Sequence, residues 1–163
     1  MRLDVIDNSG ATSMIAELRQ ELDTCRRARL ATASLTRGGI GFIEEALRGR
    51  PKNLRIQLLV GLYNGHTEAA ALRRLLSLQK RFGQYIEIRI AQNDRFHWKT
   101  YLFEGRSRSA AFVGSSNLTK DGLGVEGEFN IRLVSTNTSG AMAHIAETFD
   151  HAWEKDSVPL RTC

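Results

Sequence analysis

Three stretches of this chain carry side chains that together could act on a phosphate group. His97 and Lys99 are two residues apart in an apolar, aromatic run, so an extended strand would place both side chains on one face, roughly 7 Å apart. The sequence Gly-Ser-Ser-Asn at 114–117 follows a second apolar run and predicts a polar turn whose N–H and amide groups contact an anion. Glu128 begins a third run, which alternates polar and apolar residues as far as Val134. Three antiparallel strands would bring these groups to a single point.

These residue types fit phosphodiester chemistry that uses a histidine nucleophile and needs no cofactor. A neutral histidine can attack phosphorus and form a phosphoenzyme, which divides one difficult displacement into two easier ones. Preorganised donors would stabilise the charged transition state, and the predicted phosphate-binding residues are Lys99, Ser115, Ser116 and Asn117. Glu128 would accept a hydrogen bond from the far ring nitrogen of His97 and so fix its tautomer. The acidic residues are not grouped as a two-metal nuclease requires, so we predict no metal ligands.

The order of these groups carries a family resemblance. The His-Trp-Lys sequence at 97–99, followed by Gly-Ser-Ser-Asn at 114–117, resembles the H-x-K…G-S-x-N signature of the phospholipase D superfamily. Glu104 stands five residues after the lysine, where the fuller signature has an aspartate, and we interpret it as structural. The spacing from Asn117 to Glu128 resembles the nuclease branch, including restriction endonucleases with a phospholipase D-like catalytic domain.

The resemblance implies a metal-independent phosphodiesterase, most simply an endonuclease that cleaves DNA through a phosphohistidine intermediate. Its catalytic residues would be His97, Lys99, Asn117 and Glu128. The chain has one copy of the signature, whereas this chemistry needs a neutral histidine to attack and a protonated one to serve the leaving oxygen. We therefore expect a homodimer with its active site at the two-fold interface. There, the strand face of Glu128, Asn130 and Arg132, with His97 and Lys99, would meet its own copy.

The chain before the signature alternates predicted strands and helices. Apolar runs at 3–6, 28–35, 54–62 and 85–91 predict strands, and helical spacing of apolar residues predicts a helix after each of the first three. Thr12 or Ser13 would cap the first helix and Thr67 the third. This order predicts an α/β phospholipase D-like fold, with a mixed, mostly parallel sheet flanked by helices on both faces. The signature strands would be locally antiparallel, and a closing helix would start at Ser139.

Composition and charge restrict the class of protein. A chain of 163 residues, 42% of them apolar and 25% charged, fits one globular domain over 1–163, whose tail could lead to another domain of a longer enzyme. A net charge of +5 and a pI near 9.6 favour a polyanionic partner, DNA in the first place. The predicted nucleic-acid contacts are Arg37, Arg95, Arg106, Arg108, Lys120 and Arg132. We find no signal peptide, membrane-spanning run or cysteine framework, and we expect a cytoplasmic protein without a membrane partner.

Several alternatives stay open at the level of sequence. His97 could be an ordinary strand histidine, and Lys99 a charge that protects a sheet edge. The glycines at 38–39 could bind phosphate at a helix N-terminus or only allow a tight turn, and His66 could belong to the site or cap a helix. A phospholipid phosphodiesterase and an inactive nucleic-acid-binding or dimerisation module are the alternatives to a nuclease. The sequence does not decide between DNA and RNA.

Overall fold

The computed structural model describes residues 1–9, 12–49, 53–124, 127–137 and 140–161. In chain order, the strands are β1 (Arg2–Ile6), β2 (Arg27–Thr32), β3 (Arg55–Val60), β4 (Ile86–Ala91), β5 (Lys99–Glu104), β6 (Ser109–Gly114), β7 (Asn130–Ser135) and β8 (Ser157–Pro159). The α-helices are α1 (Met14–Thr24), α2 (Gly41–Arg48), α3 (Ala69–Phe82), α4 (Lys120–Gly124) and α5 (Ala141–Lys155). Short 3-10 helices cover Arg37–Ile40 and Tyr63–Gly65.

In the described part of the chain, eight strands form one sheet in the order β1-β7-β6-β5-β2-β3-β4-β8. The predicted alternation of strand and helix up to β4 is confirmed, and the sheet is mixed. The expectation of a mostly parallel sheet needs correction, because only the β2–β3 and β3–β4 pairs are parallel among the seven described pairings. Residues 105–108 between β5 and β6 are too few for a crossover, which needs about a dozen residues, so these strands form a hairpin.

Helices cover both faces of the sheet, as predicted. One face packs against α1, α2 and α3, and its core includes Leu30, Leu58, Tyr101, Phe103 and Phe112. The other face packs against α5 through a smaller cluster that includes Ala31, Leu59, Phe149 and Trp153. Strand β2 is buried on both faces, which explains why its sequence, Arg-Ala-Arg-Leu-Ala-Thr, contains small residues.

Several predicted boundaries differ from the structure. The first helix is capped by Ser13, whose side chain accepts the Ala16 N–H, as one of the two predictions had it. The third helix has Glu68 as its N-cap residue, and Thr67 instead donates its hydroxyl to the Gly61 carbonyl at 2.8 Å. The tail forms β8, which the sequence did not reveal, and β8 pairs with β4. Helix α5 begins at Ala141, while the predicted start at Ser139 lies outside the described residues.

One end of the sheet holds His97, Lys99 and the Gly-Ser-Ser-Asn turn at 114–117. Strands β1, β2, β3, β4 and β6 end there, and the antiparallel strands β5, β7 and β8 begin there. The register places Lys99 opposite Thr32, the last residue of β2, and Asn130 opposite Gly114, the last residue of β6. This end of the described sheet therefore holds the first residues of three strands beside the last residues of five others.

Candidate active site

His97 and Lys99 contact each other at the entrance to β5. The Lys99 Nζ atom lies 2.9 Å from both Nδ1 and Nε2 of His97, and it donates to the His97 carbonyl at 3.1 Å. Tyr63 holds the imidazole edge to face, with ring centroids 4.7 Å apart and planes at 62°. His97 is exposed, whereas Lys99 is buried, with 8% of its surface accessible. The predicted placement of both side chains on one side of the strand is confirmed.

The electrostatic environment of Lys99 includes Glu128. Burial lowers the pKa of the Lys99 ammonium, and the negative charge of Glu128 raises it and so offsets part of that effect. Glu128 is half-buried and makes no hydrogen bond or ion pair with any described residue. Its charge therefore acts on Lys99, but it makes no hydrogen bond with His97 in the single chain, and the orienting hydrogen bond between Glu128 and His97 stays a prediction.

Asn117 is fixed in one orientation by the end of β2. Its Oδ1 atom accepts the Ser34 backbone N–H at 3.1 Å, so the amide must turn its Nδ2 group the other way. Nδ2 has no partner among the described residues and can serve as a donor to a ligand. Thr32 supports this arrangement, because its hydroxyl donates to the Ser34 carbonyl at 2.7 Å and accepts the Leu118 N–H at 3.0 Å.

The two serines of the signature turn hold that turn against β7. Ser116 is fully buried, and its N–H and Oγ contact the side chain of Asn130 at 3.2 and 2.8 Å. Ser115 Oγ accepts the Phe129 N–H at 2.9 Å. Gly114 allows this close approach, since a Cβ at its position would lie 2.3 Å from the Phe129 carbonyl oxygen. In the single chain both serines thus support the turn, and their contact with phosphate stays a prediction.

Three supporting residues were missed in the sequence. Thr32 and Ser34 fall inside the run at 28–35 that was interpreted only as a strand, and Asn130 was predicted only as a polar position of the third run and as part of the expected two-fold face. A polar residue within an otherwise apolar strand is the signal that could have identified them, because a buried polar group needs a partner. The buried hydroxyl of Tyr101, which donates to the Ser116 carbonyl at 2.6 Å, follows the same rule.

Glu104 lies at the opposite end of β5 from Lys99. Its Oε2 atom is 3.1 Å from Nη1 of Arg29, a buried guanidinium that is also 3.1 Å from Asp150 of α5. The residue at the aspartate position of the signature therefore ties β5 to β2 and contacts no site residue. This placement agrees with the structural interpretation of Glu104.

The predicted nucleic-acid contacts separate into two groups. Arg37, Arg95 and Lys120 are exposed near the site, and Arg37 and Lys120 line a cleft of about 810 Å³ beside the signature turn. Arg106 and Arg108 lie at the β5–β6 hairpin, about 20 Å away along six residues of strand. Arg132 is turned toward α1, where it pairs with Glu17 and Glu21. The structure does not bring Arg106, Arg108 or Arg132 to the site.

The strand face that was expected to meet a second copy is covered within the chain. Asn130 is 1% exposed and Arg132 is held by the acidic residues of α1, so neither can form the predicted two-fold contact. The reason is the direction of the alternation: the polar residues of β7 face α1, while Phe129 and Ile131 face outward and are 61% and 39% exposed. The predicted interface therefore needs correction.

Packing accounts for one of the other open interpretations, that of the glycines at 38–39. A Cβ on Gly39 would lie 1.8 Å from the Leu118 carbonyl oxygen, so close packing explains this glycine. His66 is exposed in the loop after the Tyr63–Gly65 turn. Within the described ranges, no three His, Cys, Asp or Glu side chains are grouped so that they could hold a metal ion. Every helix in those ranges is too short or too polar to span a bilayer.

The chain resembles known proteins in sequence and in fold. Residues 18–153 match the family described as the cardiolipin synthase, PLD-like domain. The fold is similar to that of Nuc from Salmonella typhimurium, a phospholipase D family member, with a TM-score of 0.75 and 15% identity over 99% of each chain. NucT from Helicobacter pylori gives a TM-score of 0.64 and 11% identity over 97% of this chain and 98% of that one. Yeast tyrosyl-DNA phosphodiesterase gives 0.56 and 13% over 94% of this chain and 38% of that one.

No curated protein matches the sequence significantly. The family match nevertheless spans most of the chain and includes His97, Lys99, Asn117 and Glu128. The sheet order, and the position of these residues at one end of the sheet, agree with that match. The chain therefore belongs to the phospholipase D-like family, with a domain of the cardiolipin synthase type.

Proposed function

We propose that this protein is a metal-independent phosphodiesterase that cleaves DNA through a phosphohistidine intermediate. The observation that carries the proposal is the His97–Lys99 contact of 2.9 Å beside an Asn117 amide whose Nδ2 has no partner among the described residues. A nucleophile, a cation and an oriented neutral donor in one place are what an attack on a phosphodiester requires.

The reaction follows from these groups in two steps. The neutral imidazole of His97 attacks phosphorus, an N–P bond forms, and the bond from phosphorus to the leaving ester oxygen breaks while a general acid protonates that oxygen. Water then attacks phosphorus and gives a proton to the conjugate base of that general acid, the N–P bond breaks, and both His97 and the general acid are restored. Lys99 and the Asn117 amide hold the non-bridging oxygens in both steps, since both can donate without moving the backbone.

DNA is favoured over a phospholipid by the charges around the site. Arg37, Arg95 and Lys120 are exposed near the sheet end that holds His97, and a chain of phosphates offers each of them a partner. The similarity to a tyrosyl-DNA phosphodiesterase supports a DNA phosphodiester as substrate. The cardiolipin synthase description of the family supports the second candidate, a phospholipid phosphodiesterase.

We also propose a homodimer, because a single chain supplies only one His97 to the site. The interface would use the outward apolar residues at the β1–β7–β6 edge, whose register places Val5, Ile131 and Val113 side by side. Val5 and Val113 are 53% and 40% exposed, and Phe129 continues the patch toward Glu128. Such a patch next to the site suits a second copy, since two-fold contact through it would bring the two sites together.

The proposal is tested by cleavage assays on single-stranded DNA, duplex DNA, RNA and a phospholipid, each with and without excess EDTA. We expect DNA cleavage that survives EDTA and that is lost by about three orders of magnitude in His97→Ala. Cleavage that EDTA abolishes and magnesium restores would refute the mechanism, and hydrolysis of the phospholipid alone would refute the substrate.

A further inference from the structure

A cleft of about 730 Å³ lies on the opposite side of the site strand from His97 and Lys99. It is bounded by α5 on one side and by the segment that leads into β5 on the other. Its floor is apolar and includes Phe96, Trp98 and Ala152, and its rim carries hydrogen-bonding side chains, among them Asn93, His144 and Glu147. This volume is within the range of about 300–1,000 Å³ that is usual for sites of small organic ligands.

Alternation along one extended segment places the cleft beside the site. His97 and Lys99 contact each other on one side, while the rings of Phe96 and Trp98 pack together on the other, with centroids 5.0 Å apart. Phe96 is buried and Trp98 is half-buried, so Trp98 presents part of its ring to the cleft. A phosphate held by Lys99 and a group that contacts Trp98 are thus separated by the width of one strand.

We propose that this cleft receives an unpaired nucleobase next to the scissile phosphate, stacked on Trp98, and hence that the substrate is single-stranded DNA. The inference rests on the proposed nuclease function and adds its substrate class. Bases stack on aromatic side chains irrespective of their identity, because each has a π-face. A base within a duplex is paired and stacked on its neighbours, so it could enter the cleft only after leaving the helix.

The rim distinguishes a base from the acyl chain of a lipid. Asn93, His144 and Glu147 offer both donors and acceptors, which the edge of a base can use and an acyl chain cannot. Arg95 is exposed at the same rim, two residues before His97, where its charge suits the phosphate that follows the bound base. The cleft thus combines an aromatic wall, a polar rim and a cation.

The test measures binding and cleavage separately. The chain has two tryptophans, of which Trp153 is buried. The double variant His97→Ala/Trp153→Phe removes the proposed nucleophile and this second tryptophan, so its tryptophan fluorescence reports Trp98 without turnover. We expect oligothymidylate to quench this signal, and an abasic deoxyribose-phosphate strand of equal length to leave it unchanged. Quenching by a short-chain phospholipid but not by oligothymidylate would overturn the proposal.

Kinetics give the second arm. Trp98→Ala should raise KM for single-stranded DNA about 10-fold or more, leave cleavage of the abasic strand unchanged, and be rescued by Trp98→Phe. Thr148→Phe, which fills the cleft from α5 and lies far from His97 in the chain, should have the same effect. Equal losses on both strands, or cleavage of duplex in preference to single strands, would refute the base site. If the wild type cut neither strand, the nuclease proposal would fail. The fluorescence experiment would still show whether the cleft binds a base.

Discussion

The side-chain oxygen of Asn117 accepts the backbone N–H of Ser34 at 3.1 Å. Because an N–H can only donate, this bond decides which end of the amide faces β2, a choice that asparagine side chains often leave ambiguous. The Nδ2 donor is therefore aimed by the backbone of the buried segment that follows β2. Such a donor needs no rearrangement when a phosphate arrives, which is the property that makes transition-state stabilisation effective.

Asn117→Asp removes the Nδ2 donor but keeps the oxygen that holds the side chain in place. The new carboxylate can still accept the Ser34 N–H, so we expect an unchanged fold, but it loses the donor and places a negative charge beside the phosphate. The value of kcat/KM should fall about 100-fold or more. The matched control is Asn53→Asp, an exposed position at the other end of the sheet, which should keep full activity. Activity within a factor of three of wild type would contradict the role of Asn117.

Glu128→Gln should change the pH dependence of anion binding. Burial lowers the pKa of Lys99 and the charge of Glu128 raises it, so removing that charge lowers the pKa further. Lys99 then loses its proton at a lower pH, and the alkaline decline in binding begins earlier. We suggest measuring the inhibition constant of sulfate, whose charge is constant over this range. Asp23→Asn, an equal change of charge on an exposed residue of α1, should leave the profile in place. A shift toward higher pH would show that Glu128 does not face Lys99.

Glu104→Ala should lower stability and spare the chemistry. It removes one of two carboxylates from a guanidinium whose side chain is only 5% exposed, and we expect a loss of about 2 kcal/mol in the free energy of unfolding. Urea denaturation measures this loss, and cleavage per folded molecule should be unchanged. Glu87→Ala removes a more exposed partner, 3.4 Å from Arg89, and should cost at most about 0.5 kcal/mol. Equal effects of the two substitutions would rule out a special role of the Arg29 pair.

Val5→Asp should separate the proposed dimer. The charge would lie in the middle of the outward apolar patch, so light scattering should give the 18.3 kDa of one chain instead of twice that mass, and turnover should be lost with it. The matched control is Val158→Asp, which lies on β8 at the opposite edge of the sheet. The two positions are similarly exposed, Val158 at 43% and Val5 at 53%. A fully active monomer of the wild type would refute the shared site.

The parts of this fold that depend on neighbouring residues could be predicted, and those that depend on distant partners could not. Alternation correctly placed His97 and Lys99 on one side of their segment, because side chains of an extended segment alternate. In contrast, nothing local indicates that β1 pairs with β7. Arg132 was predicted to contact nucleic acid because it flanks the signature and carries a positive charge, and only the packing of α1 supplies its acidic partners.

The pairing of β1 with β7 also links the site to protein synthesis. Ile6 and Asn130 are partners in that pairing and lie 124 residues apart, a stretch that a ribosome takes roughly 6 to 25 s to translate. Until then Ser116 has no hydrogen bonds to the side-chain amide of Asn130, and the turn at 114–117 has no β7 strand to pack against. A nascent chain that has not yet released β7 from the ribosome therefore cannot complete the hydrogen bonds that hold this turn, so its candidate active site forms only after β7 is free.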